Sequence, residues 1–194
     1  VDVWELIRLA NRHPRVKILQ PGPGVGGHCI AVDPWFIVDA APAEARLLRT
    51  AREVNDSKPH HVVAQVRAAA GKDAVVACLG LAFKANVDDL RESPAVEIAS
   101  HLAAAGLKVL AVEPHVTALP KALQGRAELV SLADALARAS VIVLLVDHRA
   151  FAGLTLEQLK GKKLIDTRGA NLVAPGKRPL SSMTPTILDR DGAL

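Results

Sequence analysis

Apolar positions along this chain change their spacing twice. Val3, Leu6, Ile7 and Ala10 recur at helical intervals, which predicts a short helix over 3–11. Residues 16–19 read as a brief strand, after which the period dissolves in a run of glycine and proline. From 43 to about 70 it returns, with Leu47, Leu48, Ala51, Val54, Val62, Val63 and Val66 marking one long helix. Pro59 lies inside it. A proline there removes a backbone donor and crowds the preceding turn, so a kink or a division is expected. The apolar face is larger than a lone helix can bury, which predicts packing on another domain or subunit.

Gly71, Lys72 and Asp73 form a boundary, and beyond it short apolar runs alternate with helical stretches. Residues 74–79, 108–112, 128–130, 141–146 and 163–165 read as strands. Helices are expected at 94–105, about 117–123, 132–138 and 156–159. Strand–helix alternation implies right-handed crossovers, and runs such as Val-Ile-Val-Leu-Leu-Val suit strands covered on both faces. The expected fold class is α/β, a doubly wound parallel Rossmann-like sheet preceded by a helical segment. Three parts follow: 1–72, the end of a helical region; 73–170, the sheet domain; and 171–194, a Pro/Ser/Thr-rich tail with no clear period.

Composition narrows the partners. Half of the 194 residues are hydrophobic, so a real core is available. A net charge of +4 raises nucleic acid as a partner, but no Tyr, three Phe and two Trp leave little to stack on bases. A basic pocket for an anionic small molecule accounts for the charge at least as well. No apolar run reaches the roughly 18 residues of a membrane span. The opening residues do not read as a signal peptide, and the chain is expected to be a piece of a longer protein. Two cysteines, Cys29 and Cys78, make no disulfide framework, which points to a reducing cytoplasm.

The densest chemistry lies at 21–36, where Gly22, Gly24, Gly26 and Gly27 precede Cys29, and Asp33 follows four residues later. Glycine permits backbone conformations and close approaches that other residues forbid. Gly22, Gly24 and Gly27 also spell G-x-G-x-x-G. A dinucleotide fingerprint needs a strand before it and a helix after it, and Pro23 and Asp33-Pro34 argue against that setting. Cys29 reads either as a thiolate nucleophile or as a small buried hydrophobe. Asp33 could orient water or move a proton. A Cys29–His28 hydrolase is a weaker alternative, because sequence neighbours need not face each other. Cys78, inside an apolar strand, is expected to be core. No metal site is expected among the seven histidines, and His60-His61 reads as a solvated helical face.

A second informative phrase runs from Gly80 to Ala95, starting where an open α/β sheet binds its ligands. Ser93 suits an N-cap and Pro94 a first helical residue, which would set Lys84 and Arg91 near a helix N-terminus able to hold an anion.

Both phrases, in this order, resemble the UDP-glucose/GDP-mannose dehydrogenase family. Gly24 to Phe36 is similar to its active-site cysteine motif, in the wording of the branch acting on UDP-N-acetyl-D-mannosamine. The resemblance covers the chain to about Arg168, as the end of a central region plus a C-terminal UDP-binding domain. It implies NAD-dependent oxidation of a UDP-sugar at C6 by a homodimeric enzyme of cell-surface polysaccharide synthesis. Cys29 would be the nucleophile and Asp33 its partner in hydrolysis. Gly26, Gly27, Phe83, Lys84 and Arg168 would face the UDP-sugar, and Arg91 the cofactor. The family's N-terminal NAD domain has no counterpart in these residues, so the fragment alone is expected to be inactive. Other expectations are a different UDP-sugar such as UDP-glucose, or a non-catalytic nucleotide-sugar-binding module.

Overall fold

The computed structural model describes residues 3–15, 22–167 and 186–188. Three helices come first: α1 (Val3–Ala10), α2 (Asp33–Ala40) and α3 (Arg46–Ala69). Then follow β1 (Val75–Leu79), α4 (Pro94–Ala104), β2 (Lys108–Val112), β3 (Ala127–Leu129), α5 (Leu132–Arg138), β4 (Val141–Leu144), α6 (Leu156–Leu159), β5 (Lys163–Asp166) and β6 (Thr186–Leu188). The strand order is β3-β2-β1-β4-β5-β6. The first five strands are parallel, as expected, and β6 pairs antiparallel with β5.

Alternation along the strands builds two cores. Val76, Cys78, Val109, Ala111, Val141, Val143 and Ile165 point to the face covered by α3 and α4, against Val62, Val66, Ile98 and Leu102. Their neighbours Ala77, Leu79, Leu110, Val112, Ile142, Leu144 and Leu164 point the other way, against Ala135, Phe151 and Leu159. Period two on a sheet covered twice leaves no polar face, hence the unbroken apolar runs. Each large side chain so buried contributes about 1.5–3 kcal/mol.

Several expectations are corrected. The helix at 43–70 is undivided: α3 runs from Arg46 to Ala69 with a buried Pro59 inside it. Only its C-terminal half lies on the sheet, while Leu47 and Val54 nearer its start are 81% and 55% exposed. At 117–123 only a 3₁₀ turn forms, Lys121–Leu123, because Pro120 steers Leu119 away from helical backbone. The strand at 141–146 stops at Leu144: the amides of Leu145 and Val146 both converge on the Leu79 carbonyl, at 3.0 and 3.1 Å. Helix α2 departs from the sequence reading, in which Asp33-Pro34 argues against a helix; proline occupies the first turn, where its missing N–H costs nothing. β6 falls within the stretch expected to be irregular. The strand expected at 16–19 lies outside the described residues.

Candidate functional site

The order β3-β2-β1-β4 reverses direction between β1 and β4, so the loops leaving these two strands open the crevice where such sheets bind ligands. The loop after β1 starts at Gly80. Its φ of +87° suits glycine, and a Cβ there would lie 2.5 Å from the Cβ of Val146. Loop 80–93 then hangs on a buried carboxylate. Glu113, at the end of β2, accepts the amides of Leu81 (2.7 Å) and Ala82 (3.0 Å) on one oxygen and His115 (3.0 Å) on the other. His148 Nε2 lies 3.0 Å from the same oxygen as the first two. The Asn86 amide donates to His148 Nδ1 at 2.9 Å, which makes Nδ1 the acceptor and places the ring proton on Nε2, facing Glu113. Burial opposes charge on Glu113, but the bonds from His148, Leu81 and His115 outweigh it and hold the carboxyl below its ordinary value. Neither Glu113 nor His148 stood out in the sequence.

The far end of the loop returns through Ser93, whose hydroxyl donates to the Leu81 carbonyl at 2.6 Å and accepts the Ala95 amide at 3.2 Å. Ser93 is thus the N-cap of α4, as its sequence predicts. The anion site expected at this helix end is partly taken up by the protein itself. Pro94 has no amide, Ala95 and Glu97 donate to Ser93, and the glycine loop lies over the end.

That glycine loop is the other half of the site. Val25 is held by α3: its amide donates to Asn55 Oδ1 at 2.8 Å and its carbonyl accepts from Asn55 Nδ2 at 3.3 Å. The backbone then presses on loop 80–93. A Cβ on Gly26 would stand 2.0 Å from the Glu92 carbonyl oxygen, and one on Gly27 would stand 3.0 Å from the Phe83 ring. The Gly27 amide donates to the Arg91 carbonyl at 3.3 Å. These glycines admit protein rather than a pyrophosphate. The G-x-G-x-x-G spelling is therefore not a dinucleotide cradle: α2, the next helix, begins only at Asp33.

The loop delivers Cys29 to solvent as a free thiol. The Cys29 carbonyl accepts the amides of Val32 (2.9 Å) and Asp33 (2.8 Å), closing a helical turn that feeds α2 and sets Asp33 at its exposed start. Around the cysteine stand residues of loop 80–93. Arg91 reaches Asp89 through Nε at 3.0 Å and Nη2 at 2.5 Å, and that carboxylate, then the nearby Cys29 sulfur, holds the guanidinium above its usual value. Hydrogen bonds from Arg91 pull Asp89 down to about 2. His28 lies 3.8 Å from Asp89 and edge-on to Phe83, and no hydrogen bond joins it to Cys29, which removes support from the hydrolase alternative. Lys84 is exposed beside Phe83, and among the described residues it forms no ion pair. The structure thus brings Gly26, Gly27, Cys29, Phe83 and Arg91 together, with Lys84 and Asp33 at the margins. Arg168 lies outside the described residues. Cys78 is core, its thiol pushed up to about 12 by burial. Among the described residues no helix is long and apolar enough to cross a membrane.

The residues present would fit a nicotinamide dinucleotide at no more than one edge. Arg91, exposed and cationic, fits a phosphate or amide oxygen, whereas the glycine run offers no cradle.

Residues 1–57 match the central domain of the UDP-glucose/GDP-mannose dehydrogenase family, and residues 77–173 match its UDP binding domain. The chain is 63% identical over 172 residues to an NDP-N-acetyl-D-galactosaminuronic acid dehydrogenase of Ralstonia nicotianae, covering 87% of this chain and 40% of that protein. It is 55% identical over 181 residues to the UDP-N-acetyl-D-mannosamine dehydrogenase of Escherichia coli K12, again over 87% of this chain and 43% of the relative. The chain therefore spans less than half the length of these relatives. Among solved structures, the UDP-N-acetyl-mannosamine dehydrogenase of Staphylococcus aureus superposes with a TM-score of 0.67 at 38% identity, over 91% of this chain and 41% of that one. A UDP-glucose dehydrogenase from Pyrobaculum islandicum superposes with a TM-score of 0.72 at 27% identity, over 87% and 40%.

Proposed function

The chain belongs to the UDP-glucose/GDP-mannose dehydrogenase family, and from that premise we propose that it carries the nucleophile and the sugar-nucleotide face of an NAD-dependent UDP-N-acetylhexosamine 6-dehydrogenase. The observation that carries this reading is the exposed Cys29, near Arg91 on a turn whose Gly27 packs on Phe83.

NAD+, when bound, accepts a hydride in each of two oxidations. After the first, the substrate alcohol is an aldehyde. The Cys29 sulfur adds to its carbonyl carbon, and a proton completes the thiohemiacetal. Loss of the second hydride, with the hydroxyl proton, leaves a thioester on Cys29. Water adds to that thioester, the sulfur leaves as thiolate, and the uronate is freed. Asp33, exposed at the start of α2, places the water or takes its proton. Covalent capture divides a difficult oxidation into easier steps and keeps the aldehyde from escaping. Lys84 offsets charge on the UDP phosphates, Phe83 and the backbone of Gly26 and Gly27 line the sugar side, and Arg91 holds an edge of the cofactor. By the family motif, Arg168 is a further cation for the anionic substrate. An exposed thiol that must remain free suits a reducing cytoplasm.

Two substrates fit this chemistry. The cysteine phrase favours UDP-N-acetyl-D-mannosamine. The higher identity to the Ralstonia protein favours a galacto-configured N-acetylhexosamine. NADH release by the full-length coding sequence, with each sugar nucleotide and with UDP-glucose, separates them. Two NADH per sugar are expected from one substrate. Cys29→Ala should abolish uronate formation, and full turnover in that variant overturns the mechanism. Lys84→Ala should raise the KM for the sugar nucleotide, and an unchanged KM removes Lys84 from the site. UDP binding with no NADH from any sugar would leave a binding module.

A further inference from the structure

His60, expected on a solvated helical face, meets two ligating side chains across the α3–α4 packing. Its ring centroid lies 5.0 Å from that of His101, and His101 Nε2 lies 3.6 Å from Glu97 Oε1. One nitrogen from each imidazole and one carboxylate oxygen all fall within 4.8 Å of one another. We propose that His60, Glu97 and His101 form a binding site for a divalent transition-metal ion of the zinc class, which staples α3 to α4.

The donor set argues for that class. Two imidazoles and a carboxylate suit zinc, nickel or copper rather than the all-oxygen shells of magnesium and calcium. Glu97 and His101 stand one turn apart on α4, the spacing at which two side chains of a helix converge on one ion. His60 supplies the third ligand from a second rigid element, and water completes the shell. Neither imidazole makes a hydrogen bond among the described residues, and 3.6 Å is too long for one to Glu97, so lone pairs are available. Tetrahedral zinc with bonds near 2.0–2.2 Å sets its ligands about 3.4 Å apart. The ligating atoms, now within 4.8 Å of one another, have to draw in by about 1.4 Å at most to reach that separation.

Among the described residues a second such grouping, Glu113, His115 and His148, is instead a hydrogen-bond network. There the carboxylate already takes three amides and an imidazole, and both nitrogens of His148 are engaged. The α3–α4 site also has a structural consequence. α3 holds Val25 through Asn55, while Pro94 at the head of α4 packs on Gly24 and Gly26. An ion joining these helices fixes both supports of the cysteine loop.

The test is a zinc and cobalt titration of the chain carrying Cys29→Ser, since the exposed thiol would compete for metal. A single equivalent is expected, with visible absorption from the cobalt form and a zinc-dependent rise in Tm. His60→Ala, Glu97→Gln and His101→Ala should each weaken binding by more than about 10-fold. Their metal-free Tm should match that of the parent, which separates lost ligation from lost folding. His115→Ala should leave affinity unchanged. Absence of binding, or affinity equal to the parent's in His60→Ala or in His101→Ala, overturns the site, as does loss of binding in His115→Ala or His61→Ala alone.

Discussion

Asp89 shows how much of this site is set by single side chains. Its carboxylate accepts from both the backbone and the guanidinium of Arg91, and these bonds pull it down to about 2. A folded value below the unfolded one means the contact stabilises at every pH above the ordinary carboxylate range. That contribution fades only as pH falls from near 3.8 towards about 2. Arg91 is therefore oriented, not switched, across the neutral range. A carboxyl-carbon NMR titration should give Asp89 a midpoint of about 2, returning to the ordinary range in Arg91→Ala; a midpoint indifferent to that substitution dissolves the pair. Cys29, Phe83 and Arg91 were legible in the sequence because each sits in a specific phrase. Glu113 and His148 were not. A carboxylate and an imidazole 35 residues apart carry no local pattern, and only the fold makes them partners at 3.0 Å.

At the scale of elements, legibility followed the strength of the local signal. Five strands and α4 were readable from apolar runs and a capping serine, since both devices act within a few residues. Misjudged ends had tertiary causes: β4 stops where two amides share the Leu79 carbonyl, and α3 runs on through Pro59 because its C-terminal half is packed on the sheet. Likewise the support of loop 80–93 comes from β2, the neighbouring strand, through Glu113. Glutamine at 113 could keep its oxygen toward Leu81, Ala82 and His148, but its amino group would then face the His115 amide, donor against donor. Glu113→Gln should cost about 1–3 kcal/mol by urea denaturation. No change in the urea midpoint would mean that the loop is held elsewhere.

Across the whole molecule, exposure is lopsided. Leu6, Leu9, Ile30, Phe36, Ile37, Leu47, Leu48 and Val54 are exposed large apolar residues ahead of the sheet, whereas Leu156 is the sheet domain's counterpart among the described residues. We expect a second copy to cover part of this surface through the first half of α3. Sedimentation should report a dimer, and Leu47→Glu should shift it to monomer; a monomeric parent overturns the arrangement. The contact that unites the two halves has a further implication. Gly26 meets the carbonyl oxygen of Glu92, an atom every amino acid carries. Once an alanine stands at 26, no replacement at 92 restores the lost room. The two segments are locked together by main chain alone, so the genetic code offers no compensating partner, and a suppressor of that defect has to arise by moving one loop rather than by exchanging a neighbour.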